Sequence, residues 1–285
     1  MKMKTERGLF QTIKSLFGLS VSKKLEELPI FKKILIYYRF ASFQGNKMYV
    51  NPRDKFIAQS VLKYGVWEPD ETRLFKRVIK KGMIVVDLGA NVGWYTLIAA
   101  KLVGKNGKVY SFEPDPDNCA LLRKNVQING YENVIVEQKA VLDHGGIIKL
   151  FLNADNLGDH RIYDCHDREK WTFTEGIVLD DYFGDNHKKI DVIKMDVQGA
   201  EMAVLVGMDK IIRANDKLKM FIEFSPFLIR RSGFSPEAFL NRIAKYGFKI
   251  QIIGVQNEIG VDAIMDLFND KPLDHGIDLF LERID

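Results

Sequence analysis

The run Val85-Val86-Asp87-Leu88-Gly89-Ala90-Asn91-Val92-Gly93 constrains this chain more than any other stretch. The apolar residues from Met83 to Val86 have the character of a strand buried on both faces, as in a parallel sheet. That strand ends in an acid and a glycine-rich turn, and Tyr95 to Val103 then has helical spacing. Glycine is required where a backbone takes positive φ or passes close to another group. A second apolar strand, Lys108 to Phe112, ends at Glu113, 20 residues after Gly93. A carboxylate at the tip of the second strand can accept hydrogen bonds from both hydroxyls of a ribose. Strand, glycine turn, helix, strand and acid together describe the nucleoside-binding half of a doubly wound sheet.

The turn also limits which nucleotide fits. Dinucleotide sites use G-x-G-x-x-G to bring a helix N-terminus onto a pyrophosphate. This chain has D-x-G-x-N-x-G, and Asp87 would repel a pyrophosphate placed there. An acid at that point suits a cationic ligand such as the amino group of a methionine moiety. The pattern favours S-adenosylmethionine over NAD.

The segment from Val86 to Thr96 resembles the first motif of the FkbM family of S-adenosylmethionine-dependent methyltransferases. Three further stretches match the family pattern in order: Tyr64-Gly65-Val66-Trp67-Glu68-Pro69, Ser111-Phe112-Glu113-Pro114 and Met195-Asp196-Val197-Gln198-Gly199-Ala200-Glu201. The resemblance runs from about Met48 to about Phe224. It implies a doubly wound, mostly parallel seven-stranded α/β sheet of the Rossmann-like methyltransferase type, with the two last strands as an antiparallel edge pair. It also implies methyl transfer to oxygen, commonly on a sugar, polyketide or other small hydroxylated acceptor.

Along the chain, strands are expected at 47–50, 83–88, 108–112, 134–140, 147–152, 190–195, 219–224, 249–254 and 278–282. Helices are expected near 56–64, 71–78, 95–103, 117–128, 201–206 and 236–246. Such alternation produces right-handed βαβ units and a parallel sheet. Residues 153–175 lack a clear period and are expected to be a long loop. Residues 48–285 are expected to form the methyltransferase domain and residues 1–47 a basic helical extension.

That extension carries most of the charge asymmetry. Residues 1–40 hold nine Lys or Arg against three Glu, so +6, which leaves the remainder near −2. Leu9, Phe10, Ile13, Leu16 and Phe17 share one helical face. Such a face can pack on the domain or on a second subunit, or lie on an anionic membrane, so residues 1–20 are a candidate peripheral membrane contact. Nucleic acid is not an expected partner, because the excess charge is modest and no aromatic-basic platform accompanies it. Cys119 and Cys165 are the only cysteines and neither has a C-x-x-C partner, which argues against a disulfide framework or a thiolate zinc site. With no run long enough to span a membrane and no signal-peptide core, a cytoplasmic location is expected.

Ligands of open parallel sheets sit outside the carboxyl ends of the strands, near the switch point between halves. Asp87, Gly89, Asn91 and Gly93 follow the first strand and Glu113 the second. Gln138 and Ala140 follow the third and are placed to read an adenine edge. Asp196, Gln198 and Glu201 follow the fourth strand, and Glu223 lies near the end of the fifth. Acids near a helix start are stabilised by the dipole by roughly 0.3–1 kcal/mol, which suits Glu201 as a cap better than Asp196. A hydroxyl is a poor nucleophile and profits from a nearby base, for which Asp196, Asp159, His160 and Glu223 are candidates, Asp196 ahead of His160. Hard carboxylates such as Asp196 and Glu223 also suit magnesium. Two acids on neighbouring strands more often share a proton, so no metal is assigned. The aromatic residues Tyr163, Trp171 and Phe173 offer surface for stacking on a sugar ring, although such residues commonly anchor loops. Two alternatives remain at this stage: a non-catalytic methyltransferase-like module, and an NAD-dependent oxidoreductase.

Overall fold

The structure, a computed structural model, describes residues 39–164, 166–184, 189–255, 258–268 and 276–283. Residues 1–38 of the expected helical extension, and with them the membrane contact through residues 1–20, lie outside the described residues, as does Cys165. A hairpin of β1 (Arg39–Phe43) and β2 (Asn46–Val50) comes first, so the boundary expected after residue 47 falls within it. Helices α1 (Ile57–Tyr64) and α2 (Pro69–Val78) lead into β3 (Ile84–Leu88) and α3 (Trp94–Val103). Then follow β4 (Lys108–Phe112), α4 (Pro116–Ile128), β5 (Val134–Glu137), β6 (Lys139–Leu142), β7 (Gly146–Leu152) and β8 (Lys170–Val178). The second half comprises α5 (Leu179–Phe183), β9 (Val192–Met195), α6 (Glu201–Gly207), α7 (Asp209–Ala214) and β10 (Lys219–Phe224). It closes with α8 (Pro226–Arg231), α9 (Pro236–Lys245), β11 (Phe248–Ile252), α10 (Val261–Asp266) and β12 (Ile277–Arg283).

Seven strands form one sheet in the order β11-β12-β10-β9-β3-β4-β5. β10, β9, β3, β4 and β5 are parallel, and β12 runs antiparallel between β10 and β11. This is the doubly wound α/β architecture that the alternating pattern and the family resemblance imply. The chain builds β3, β4 and β5 outwards, then crosses back to lay β9 on the free edge of β3. The switch point therefore lies between β3 and β9, and their carboxyl ends flank a natural crevice. Val85, Val86, Leu88, Ile193 and Met195 are fully buried there, as expected for parallel strands covered on both faces.

Two sequence expectations need correction. The strand expected over 134–140 breaks at Gln138, and its second half, β6, joins β8 and β7 in a separate sheet of order β6-β8-β7. Ala140 and Leu142 pack there against Ala200 and Ala203. The stretch 153–175 is not all loop, because Lys170 onwards pairs along the whole of β7. In β8, Trp171 and Phe173 face solvent while Thr174 is buried, the reverse of the usual alternation. No helix among the described residues is long and apolar enough to cross a membrane.

Candidate active site

The glycine turn is shaped by the crossing of two backbones. Gly89 has φ +79, and a Cβ there would lie 1.8 Å from the carbonyl oxygen of Asp196. Asn91 holds a left-handed φ of 49 and Gly93 a φ of 100 as the start of α3. The Asn91 N–H donates to Glu113 Oε2 at 2.7 Å, and the Asp115 N–H donates to Glu113 Oε1 at 2.9 Å. Glu113 thereby ties the turn to the end of β4. Each of its oxygens keeps a further lone pair for a ligand hydroxyl. Burial pushes the Glu113 carboxyl up to about 8, against the pull of those two backbone donors.

Asp87 is buried on the same face, where Thr96 Oγ1 donates to its Oδ2 at 2.6 Å. Burial raises it to about 6, while Thr96 and Lys194 oppose the rise. In the sheet Asp87 pairs with Lys194, which pairs with Phe221, and Glu223 pairs with Asp278. Side chains alternate along strands, so Lys194 and Asp196 share a face. At the carboxyl end of the sheet, that face carries Asp87, Lys194, Asp196, Glu223 and Asp278.

The fourth-strand acids separate by role. Gln198, held at a left-handed φ of 53, donates its Nε2–H to Asp196 Oδ1 at 2.7 Å and to Glu223 Oε2 at 2.8 Å. The structure therefore brings Asp196 and Glu223 into one network. Burial, and next the charge of Asp196, hold the Glu223 carboxyl well above the usual range. Glu201 instead accepts from the Gly199 N–H at 3.1 Å and the Val197 N–H at 3.4 Å, so it ties down the turn before α6, whose N-cap is Ala200 with no side-chain cap.

His160 sits elsewhere. Its Nδ1 accepts from the Asn153 N–H at 3.0 Å, and its Nε2 lies 4.0 Å from Asp115 Oδ2, on the Glu113 side of the site. Burial lowers its pKa, with Asp115 acting in the opposite sense. It is not joined to the Asp196 and Glu223 network. Asp159 is engaged by Arg161 at 2.7 Å and by Arg168, an arrangement that anchors the loop.

Asp87, Gly89, Asn91, Glu113, His160, Asp196, Gln198 and Glu223 line a cleft of about 330 Å³, whereas Gly93, Asp159 and Glu201 do not. Its walls include Phe112, Val141, Leu150 and Leu157, with Ala140 from the start of β6. Ala140 faces the cleft as expected, whereas Gln138 is not among its lining residues. Glu68, Tyr95 and Lys194 line it as well, and sequence reasoning did not assign them. The signals were present: Glu68 stands immediately before the Pro69 that opens α2, and Lys194 interrupts the apolar run of β9. Lys194 is 2% exposed, and its Nζ lies 3.2 Å from Glu71 Oε1. Burial favours the neutral amine, yet Glu71 and Glu68 outweigh it and hold the ammonium pKa well above the ordinary lysine value. Glu68, Glu71 and Asp278 converge closely enough to attract a metal ion, and Lys194 already supplies a cation beside them.

The chain is similar to parts of several known methyltransferases. A protein-L-isoaspartate O-methyltransferase of Methanococcoides burtonii is 40% identical over 58 residues, 20% of this chain and 29% of that protein. Methyltransferase 1 of Beauveria bassiana is 25% identical over 145 residues, 44% of this chain and 58% of that protein. In both cases the chain spans less than two thirds of the relative's length. Among solved structures, a SAM-dependent O-methyltransferase of Thermotoga maritima aligns over 87% of this chain and 78% of its own, at 13% identity and a TM-score of 0.43. The family model of the methyltransferase FkbM domain matches residues 87–250, more than half of the chain. The chain therefore belongs to the FkbM methyltransferase domain family, and its methyl donor is S-adenosylmethionine.

Proposed function

We propose that the protein methylates a hydroxyl group of a small neutral acceptor, such as a sugar, a glycolipid headgroup or another hydroxylated compound, with Asp196 taking the hydroxyl proton. The observation carrying this reading is the Asp196–Gln198–Glu223 network at the carboxyl ends of β9 and β10, beside the glycine turn. The chemistry of the cleft suits the donor. Glu113 offers lone pairs to a ribose, Phe112, Ala140 and Val141 offer apolar walls to a base, and Asp87 and Glu68 offer carboxyls to a cationic amino-acid moiety. When bound, the cofactor supplies a methyl group on a sulfonium.

The remaining steps belong to the protein. Positioning contributes much of the rate in an in-line displacement, and the close crossing of the turns at Gly89 and Asp196 supports a donor side and an acceptor side that meet there. Gln198 fixes the Asp196 carboxylate through Oδ1, and that carboxylate is the group that would accept the hydroxyl proton. Burial and the neighbouring Asp196 raise the Glu223 carboxyl, which favours its neutral form beside that carboxylate. Glu68, Glu71, Asp196, Glu223 and Asp278 cluster around the buried Lys194, and Lys139 is the other lysine lining the cleft. That density of carboxyls disfavours a phosphodiester acceptor and supports a neutral one over nucleic acid.

Labelled methyl transfer tests the proposal against a panel of neutral glycans and glycolipids, RNA, and isoaspartyl peptides. Label is expected in a neutral hydroxylated acceptor, and Asp196→Asn is expected to lower turnover about 100-fold or more with the cofactor still bound. Label confined to RNA or to peptide carboxyls would overturn the reading.

A further inference from the structure

We propose that Glu68 is the carboxylate that recognises the α-ammonium of the cofactor's methionine moiety. The inference rests on the cofactor occupying the cleft described above. Glu68 lines that cleft with Asp87, Tyr95 and Asp196. Its backbone adopts φ 43 and ψ 71, a left-handed conformation in a residue that is not glycine, immediately before Pro69 opens α2. Such strain persists only where surrounding structure enforces it, and it concentrates at ligand sites. The conformation aims the side chain inwards from the loop. Tyr95 then steadies it, with its hydroxyl 2.7 Å from Glu68 Oε2 and 2.7 Å from Glu71 Oε2.

The distribution of partners separates Glu68 from its neighbours. Glu71 has the Lys194 ammonium 3.2 Å from its Oε1. Asp87 has Thr96, and Asp196 has Gln198. Glu68 has a neutral hydroxyl on Oε2. Desolvating this half-buried carboxylate is costly, and here Glu71 and Asp196 add like charge. Burial accordingly raises the Glu68 carboxyl to about 9, with Lys194 opposing the rise. An arriving ammonium would supply the missing counter-charge at Oε1 through charge-assisted hydrogen bonds, which are shorter and stronger than neutral ones. Asp87, which the sequence pattern nominates for this task, also lines the cleft, but it is only 3% exposed and already accepts from Thr96.

Calorimetric titration of the full chain with two ligands tests the proposal. S-adenosylhomocysteine carries the amino-acid moiety, and 5′-methylthioadenosine has the same nucleoside without it. Glu68→Gln keeps the shape and the Tyr95 contact while removing the charge. It is expected to weaken S-adenosylhomocysteine about tenfold or more and to leave methylthioadenosine within about twofold. Unchanged affinity for S-adenosylhomocysteine would overturn the proposal. An equal loss for both ligands would also overturn it, by showing a purely structural role. Tyr95→Phe, which removes the hydroxyl steadying Glu68, is expected to show the same selectivity at smaller size, and it carries the comparison if Glu68→Gln does not fold. Binding of neither ligand by the unmodified chain would instead remove the cofactor placement itself.

Discussion

At Gly89 a single hydrogen does the work of a side chain. Adding a methyl group would force a left-handed alanine, costing roughly 1–2 kcal/mol, and would drive its Cβ into the carbonyl of Asp196 at 1.8 Å. The obstacle is backbone, so no rotamer change relieves it. Gly89→Ala is expected to lower the melting temperature by about 5 °C or more and to weaken S-adenosylhomocysteine by more than about tenfold, as thermal melts and calorimetry would measure. Gly65→Ala, also at positive φ but with open space around its Cβ, is the control and should leave cofactor affinity unchanged. A Gly89→Ala variant that matched the parent would mean the turns do not need their close crossing. Residues of this kind were legible in the sequence. Asp87, Gly89, Asn91, Gly93 and Glu113 announce themselves because a strand-to-helix turn beside a ligand tolerates few alternatives. Glu68 and Lys194 were less visible, since each acts through partners far along the chain. His160 was visible as chemistry, but its position beside Asp115 depends on a loop path that no local pattern encodes.

Among the elements, α4 has the widest reach. Its Asn125 is fully buried and donates Nδ2–H to Tyr49 O at 2.9 Å and to Val92 O at 2.8 Å, while its Oδ1 accepts from the Tyr49 N–H at 2.7 Å. One amide thus fastens β2 and the glycine turn to the same helix. Asn125→Leu preserves volume but removes that partner from three backbone groups in a dry site. Each such loss costs about 1–3 kcal/mol, so urea unfolding should show a loss of about 3 kcal/mol or more. A change below about 1 kcal/mol would mean that the hairpin is held by apolar packing instead. The sequence places α4 correctly, because helical spacing is a local property. It says nothing of the staple, since the bonded residues are 76 and 33 positions apart. β8 escaped for a different reason: its aromatic side chains point to water, and periodicity arguments assume the opposite. The β-branched and aromatic content of Lys170–Val178 was the better guide.

For the whole molecule, the parallel sheet gathers acids from distant segments onto one rim, and this has a cost in charge. Burial raises Glu201 and Asp278 to about 7, Glu113 to about 8 and Glu68 to about 9. Unfolded, these carboxyls ionise near pH 4. Across the neutral range the folded chain therefore holds protons that the unfolded chain has lost. Stability changes with pH as the unfolded proton count minus the folded one, which is negative here, so stability falls as pH rises. His160 runs the other way, because its lowered pKa makes stability rise with pH, but that effect fades as pH passes about 6.5, its unfolded value. Depressed acids such as Asp209 and Glu237 have no further effect above about pH 5. From about pH 6.5 to 8.5 the raised acids outweigh His160, joined at the upper end by the Cys119 thiol that burial lifts to about 11, and the ligand-free protein is expected to lose melting temperature steadily across that window. Saturating S-adenosylhomocysteine, by adding an ammonium among these acids, should flatten the fall. A melting temperature that stays level or rises over that window would show the rim to be better solvated than its burial implies. The same gathering of acids that makes the free protein prefer mild acid is what prepares the cleft for a cationic donor.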